Sequence, residues 1–226
     1  LAIVFKEAGF YVYGLDVRAS KISEADEFIQ FDLNEFAKGE KYYIEWKAIF
    51  SSKIKSLDVL INNAAVQRLG SLKTLNLNDW QETLNVNLTG PLLLAQLFLP
   101  FLEQVSGSII NIGSIHQQLT KPNFVSYATS KSALIGLTKA MAVDLQGKVR
   151  VNAISPAAIE TDMLKAGFNN DESALNELRK IHPVQRIGYP KDVAKMALFL
   201  ASENSGFIHG ANLTLDGGIS SVLKDL

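Results

Sequence analysis

The 226-residue chain contains no cysteine, which excludes disulfides, thiolate metal sites and a cysteine nucleophile. Its three histidines are widely scattered, which argues against a structural zinc site, and no metal is expected. An excess of charge is also missing: 22 basic against 23 acidic residues give a formal net charge of −1. Nucleic acid would find no basic footprint here, and an anionic membrane surface no attracting field. The longest apolar run, Pro91 to Leu102, is broken by Gln96 and Pro100 and is shorter than a bilayer requires. Repeats, low-complexity stretches, linkers and a signal-peptide pattern are all lacking, so a soluble protein of the reducing cytoplasm is expected.

What is present suits one globular core. Apolar residues make up 47% and charged residues 20% of the chain, ordinary values for a soluble domain. Short β-rich runs fall at 11–16, 27–32, 57–62, 107–111, 149–154 and 212–215. Most are continuously apolar, as strands covered on both faces are. Helical patterns lie between them at 40–56, 78–104, 126–146 and 190–202. This alternation predicts an α/β fold: a doubly wound parallel sheet of Rossmann type, three layers deep, in one domain over 1–226. Ligands of such folds bind beyond the carboxyl ends of the strands. The polar residues that follow the apolar runs gather there: Asp16, Asp32, Asn62, Asn63, Ser114 and the segment 156–161.

Tyr127 and Lys131 are four residues apart at the start of a helical pattern and so share one face. A phenol is a poor acid–base group at neutral pH, and a nearby ammonium favours its ionised form. Such a pair can exchange a proton with an alcohol or carbonyl oxygen. Ser114, at the end of a buried run, could hold that same oxygen.

Asn111-Ile112-Gly113-Ser114 followed after 13 residues by Tyr-x-x-x-Lys resembles the short-chain dehydrogenase/reductase family. So do Asn62-Asn63-Ala64-Ala65 after a strand, Asn85-Val86-Asn87-Leu88 in a long helix, the stretch from Arg186 to Ala194, and Leu213 to Gly218. The resemblance covers essentially the whole chain. It implies an NAD(P)-dependent oxidoreductase that interconverts a secondary alcohol and a ketone. Tyr127 would be the general acid/base, Lys131 would lower its pKa and hold the nicotinamide ribose, and Ser114 would bind the substrate oxygen. Asn87 would complete a tetrad through a water. The cofactor residues carried over are Asp16, Asp32, Leu33, Asn62, Ala64, Ile159 and Thr161, together with Tyr127 and Lys131. Asp16 favours NAD over NADP because a carboxylate accepts from ribose hydroxyls and repels a 2′-phosphate, while Arg18 pulls the other way. Residues 162–182 would form a substrate lid. The family usually assembles as dimers or tetramers through its two long helices. Two departures stand out: Ala65 and Ala157 occupy positions where the family usually has glycine.

One motif is absent. The family's first strand and the glycine-rich turn under the pyrophosphate have no counterpart, since Gly9, Gly14 and Gly39 do not make that pattern. Leu1 to Gly9 matches the helix that follows such a turn, and it begins without a capping residue, so upstream residues are expected. Without that strand the sheet would have a gap between the runs ending at Asp16 and Asn62. On the substrate side stand Gln67 and His116, a pairing that hydroxybutyrate dehydrogenases of the family use for a carboxylate. Phe124 sits where those enzymes have lysine, and Lys121 lies close enough in sequence to approach the pocket. The other open readings are a non-redox relative and a cofactor-free binding or regulatory protein.

Overall fold

A computed structural model describes residues 1–18, 24–169 and 171–223. Six strands are present: β1 (Tyr13–Asp16), β2 (Glu27–Gln30), β3 (Val59–Asn62), β4 (Ser108–Ile112), β5 (Arg150–Pro156) and β6 (Asn212–Leu215). All neighbouring pairs are parallel, in two sheets: β1–β2, and β3–β4–β5–β6. The six apolar runs of the sequence thus become the six strands, each within a few residues.

The central strands alternate between two buried faces with the two-residue period of the pleat. Ile109 and Val151 point to one face, against α5 (Gly90–Glu103) and α6 (Val125–Leu145) and against Phe50 of α3 (Glu40–Lys53). Ile110 and Ile154 point to the other, against Phe5 of α1 (Ala2–Glu7) and Ala197 and Leu200 of α9 (Pro190–Ala201). The chain is therefore the three-layer, doubly wound domain its pattern predicts. Each fully buried Leu, Ile or Phe in these two cores contributes roughly 1.5–3 kcal/mol.

Two differences from the sequence reading have physical causes. A short helix, α2 (Leu33–Phe36), follows β2 because Asp32 caps it, accepting from the backbone N–H groups of Asn34 and Glu35. The helix expected over 78–104 is α4 (Leu77–Leu84) running through a π-helical turn, Asn85–Thr89, into α5. At 27 residues, Leu77–Glu103 is long and apolar enough by length and composition to cross a membrane, which corrects the impression left by the interrupted apolar run. Leu94, Leu97, Phe98 and Leu102 of that helix are packed in the protein core. The helix enters the core where Gly90 meets Leu33: a Cβ on Gly90 would stand 2.5 Å from Leu33 Cγ.

β1 and β3 are not hydrogen-bonded to each other. Their facing edges, with Phe5, Phe10 and Ile54, line a slot continuous with the cleft beyond the carboxyl ends of the strands, and slot and cleft together make one cavity of about 2040 Å³.

Candidate active site

The cavity gathers nearly every residue singled out from sequence. Asp16, Asp32, Leu33, Asn62 and Ala64 line its β1–β3 half, while Gln67, Ser114, His116, Tyr127 and Lys131 line its middle. Ile159 and Thr161 close it from the segment after β5. Asn87 lies behind the wall and is 1% exposed.

Ser114 ends β4. It is reached through Gly113, where any side chain would collide with Ser155 Oγ on β5, 2.8 Å from an ideal Cβ. Extended backbone at Ser114 turns its hydroxyl to cap the next turn, accepting from the His116 N–H at 3.2 Å. Burial pushes the Tyr127 phenol above its ordinary value and outweighs the effect of the Ser114 side chain, which acts in the opposite direction. The net direction is thus up, where an ammonium beside the phenol was expected to bring it down: Lys131 Nζ stands 5.7 Å from the ring centroid and donates to the Ile112 carbonyl at 2.8 Å. The phenol is accordingly a proton donor at neutral pH. Burial pulls Lys131 itself down to about 8.

Two polar contacts fix the helix that carries this pair. Asn87 Nδ2 donates to Ser130 Oγ at 3.0 Å, and Ser130 Oγ donates to the Tyr127 carbonyl at 2.7 Å. Asn111 Nδ2 donates to Thr138 Oγ1 at 2.8 Å and its Oδ1 accepts from Asn62 Nδ2 at 2.8 Å, joining β3, β4 and α6. The remaining polar atoms of the Asn87 amide clasp the Val66 backbone, Oδ1 accepting at 2.9 Å and Nδ2 donating at 3.0 Å. The side chain is occupied in tethering the loop after β3, so its place in the geometry is that of a positioning residue in a π-helical turn, a feature often found beside functional sites.

At the other end, Arg18 clasps Asp16 through both guanidinium nitrogens at 3.1 Å and its own N–H at 2.9 Å. The Asp16 carboxyl is held below its usual range, chiefly by that side-chain hydrogen bond. Asp32 spends its carboxylate on the α2 cap and Leu33 its side chain on Gly90. Asn62 Oδ1 is buried and has no partner among the described residues, an acceptor left over at the slot's rim. Thr161 caps α7 (Asp162–Gly167), accepting from the Leu164 N–H, and donates to the Ile159 carbonyl. Ile159 is bridged to Gly188. The expected lid is α7 and α8 (Glu172–Lys180), which reach the cavity through Met163, Leu164, Phe168, Leu178 and the following His182. His182 and Phe168 had no motif to mark them: one lies outside the family patterns, the other is one aromatic in a polar insert.

Comparison with known proteins agrees. A family model described as enoyl-(acyl carrier protein) reductase matches residues 2–220. The 3-oxoacyl-(acyl-carrier-protein) reductase FabG of Thermotoga maritima is 38% identical over 170 residues, 74% of this chain and 68% of that protein. The NAD-dependent glycerol dehydrogenase of Listeria innocua is 31% identical over 227 residues, 96% of this chain and 87% of that protein. Among solved structures, the ligand-free aldohexose dehydrogenase of Thermoplasma acidophilum superposes with a TM-score of 0.91 at 30% identity, covering 100% of this chain and 91% of that one. A gluconate 5-dehydrogenase from Burkholderia cenocepacia, in complex with NADP and tartrate, gives 0.86 at 28% identity, covering 98% and 90%. The chain belongs to the short-chain dehydrogenase/reductase family and is an oxidoreductase of CH–OH groups that uses NAD or NADP.

The buried Lys131 generates a prediction about stability. Its folded pKa of about 8 lies below the ordinary lysine value, so between these two values the unfolded state binds more protons and stability rises with pH. Measured by urea denaturation, the wild type should gain about 1–3 kcal/mol relative to Lys131→Met between pH 7.5 and 10. A pH-independent difference would show that the ammonium is not buried.

Proposed function

We propose that this chain reduces a ketone, and oxidises the corresponding secondary alcohol, with Tyr127 as general acid/base. The observation that carries the reading is the set of Ser114, Tyr127 and the buried Lys131, all three facing the cavity beyond the strand ends. When bound, the nicotinamide cofactor supplies or accepts the hydride. Ser114 and Tyr127 hold the substrate oxygen, and Tyr127 gives that oxygen a proton in reduction and removes it in oxidation. Lys131 holds the nicotinamide ribose and biases the phenol when its ammonium is charged. Asn87 keeps α6 and the loop after β3 in register and serves the proton relay.

The residues present suit a dinucleotide at three of its four parts. Asp16 would take the adenosine ribose, with Asp32, Leu33, Asn62 and Ala64 around the adenosine half; the leftover Asn62 Oδ1 accepts from a donor there. Ile159 and Thr161 would hold the nicotinamide amide. The pyrophosphate has no comparable grip among the described residues. The slot between β1 and β3 exposes two parallel edges and takes a further parallel strand, with a glycine-rich turn leading into α1. A version preceded by such a strand and turn should bind NADH at least tenfold more tightly, by fluorescence titration, than a chain that starts at Leu1. Equal affinities would contradict this.

NAD is the preferred cofactor on this reading, since the Asp16 carboxylate repels a 2′-phosphate and Arg18 is engaged in clasping it. Substrates are small alcohols and ketones, the location is the cytoplasm, and the assembly is a dimer or tetramer built on α5 and α6. Turnover of NADH against a panel of ketones, keto acids and ketoses tests the activity. In Asp16→Ala the released Arg18 should shift the NADH-to-NADPH ratio of kcat/KM by at least tenfold toward NADPH. An unchanged ratio would remove Asp16 from the selectivity assignment.

A further inference from the structure

The charged groups of the cavity are unevenly placed. Asp16 and Arg18 are paired with one another, Asp32 is held by the α2 cap, and Glu82 is held by Arg68 at 2.7 Å. Asp162, at the head of the lid, stands close enough to Arg18 to act on it electrostatically. On the substrate side of Tyr127 the charged lining residue other than Lys131 is Lys121, which has no ion pair among the described residues.

Lys121 is held all the same. Its ammonium lies 4.7 Å from the centroid of Phe124 and 5.7 Å from that of Phe168, the residue that ends α7. Phe124 is 8% exposed, stacks on His116 at 4.5 Å and meets Tyr127 edge-on at 6.0 Å. The Phe124 ring thus contacts both the ammonium and the catalytic phenol, and a second ring, from the lid, lies within cation–π range of the ammonium. Cation–π contacts orient an ammonium and leave its N–H donors free.

Burial, with Lys121 adding to it, holds the His116 imidazole below its ordinary value. A ring held neutral brings no charge to pair with a carboxylate, which leaves that task to Lys121.

We propose that Lys121 is a specificity determinant that binds a carboxylate on the substrate beside Phe124, with Phe168 closing the lid over that ion pair. The substrate class is then an oxo acid and its hydroxy acid. This rests on the Tyr127 reading of the site and narrows it.

The test uses the complete, cofactor-binding enzyme with acetoacetate and 4-oxopentanoate, each against its own uncharged amide. The wild type should favour at least one acid over its amide in kcat/KM by roughly tenfold or more, the scale of a charge-assisted hydrogen bond. Lys121→Met should erase that preference through KM, Lys121→Arg should keep most of it, and raised salt should shrink it in the wild type. Amides turned over as well as acids, or a preference that survives in Lys121→Met, would overturn the assignment while leaving the Tyr127 chemistry standing. Failure of the wild type to oxidise NADH or NADPH with any carbonyl compound would instead remove the reading on which it rests.

Discussion

The site depends on how α6 is held. A helix packed by apolar contacts alone can rotate or slide by a fraction of a turn, and a shift of about 1 Å is enough to impair a proton transfer. Here α6 is pinned by directional contacts at three levels. Ser130 is bonded to Asn87 of the π-helical turn, Thr138 to Asn111 of β4, and the Lys131 ammonium to the Ile112 carbonyl, also on β4. Buried amides of this kind cost free energy unless partnered; Asn87 is partnered by Ser130 and the Val66 backbone, and Asn111 by Thr138 and Asn62. The same contacts place Tyr127 against Ser114.

Burial then sets the chemistry. It keeps the Tyr127 phenol protonated and the Lys131 ammonium near its titration point, so the site rests as a proton donor beside a tunable charge. The other half of the cavity is built differently. β1 and β2 stand apart from the main sheet, with Asp16 and Arg18 locked together at their edge. The Tyr127 end is held by hydrogen bonds, whereas the Asp16 end is made from two sheet edges that are not hydrogen-bonded to each other.

Much of this was legible in the sequence. Buried parallel strands write themselves as continuous Ile/Val runs, and β4 and β5 are where those runs predict them. Ser114, Tyr127 and Lys131 were legible because their chemistry requires fixed residue types at fixed spacing. The open edge of β3 toward β1 was legible because no apolar run of the sequence answers to a strand between them. What stayed hidden depends on tertiary contact. No local pattern says that burial would outweigh the ammonium at Tyr127, that Asp32 and Thr161 would spend their side chains on helix caps, or that Asn87 would clasp Val66. The identity of His116 is plain, but its burial and its stacking on Phe124 come from the fold.

The central claim is that Tyr127 moves the proton while the rest of the site binds. Replacing Tyr127 by Phe removes one oxygen and little else. Cofactor binding followed by NADH fluorescence and turnover followed by NADH absorbance, on the same preparation, separate the two roles. The account predicts affinity within about threefold of wild type and turnover reduced by roughly 10²-fold or more. Turnover within a few-fold of wild type would contradict it.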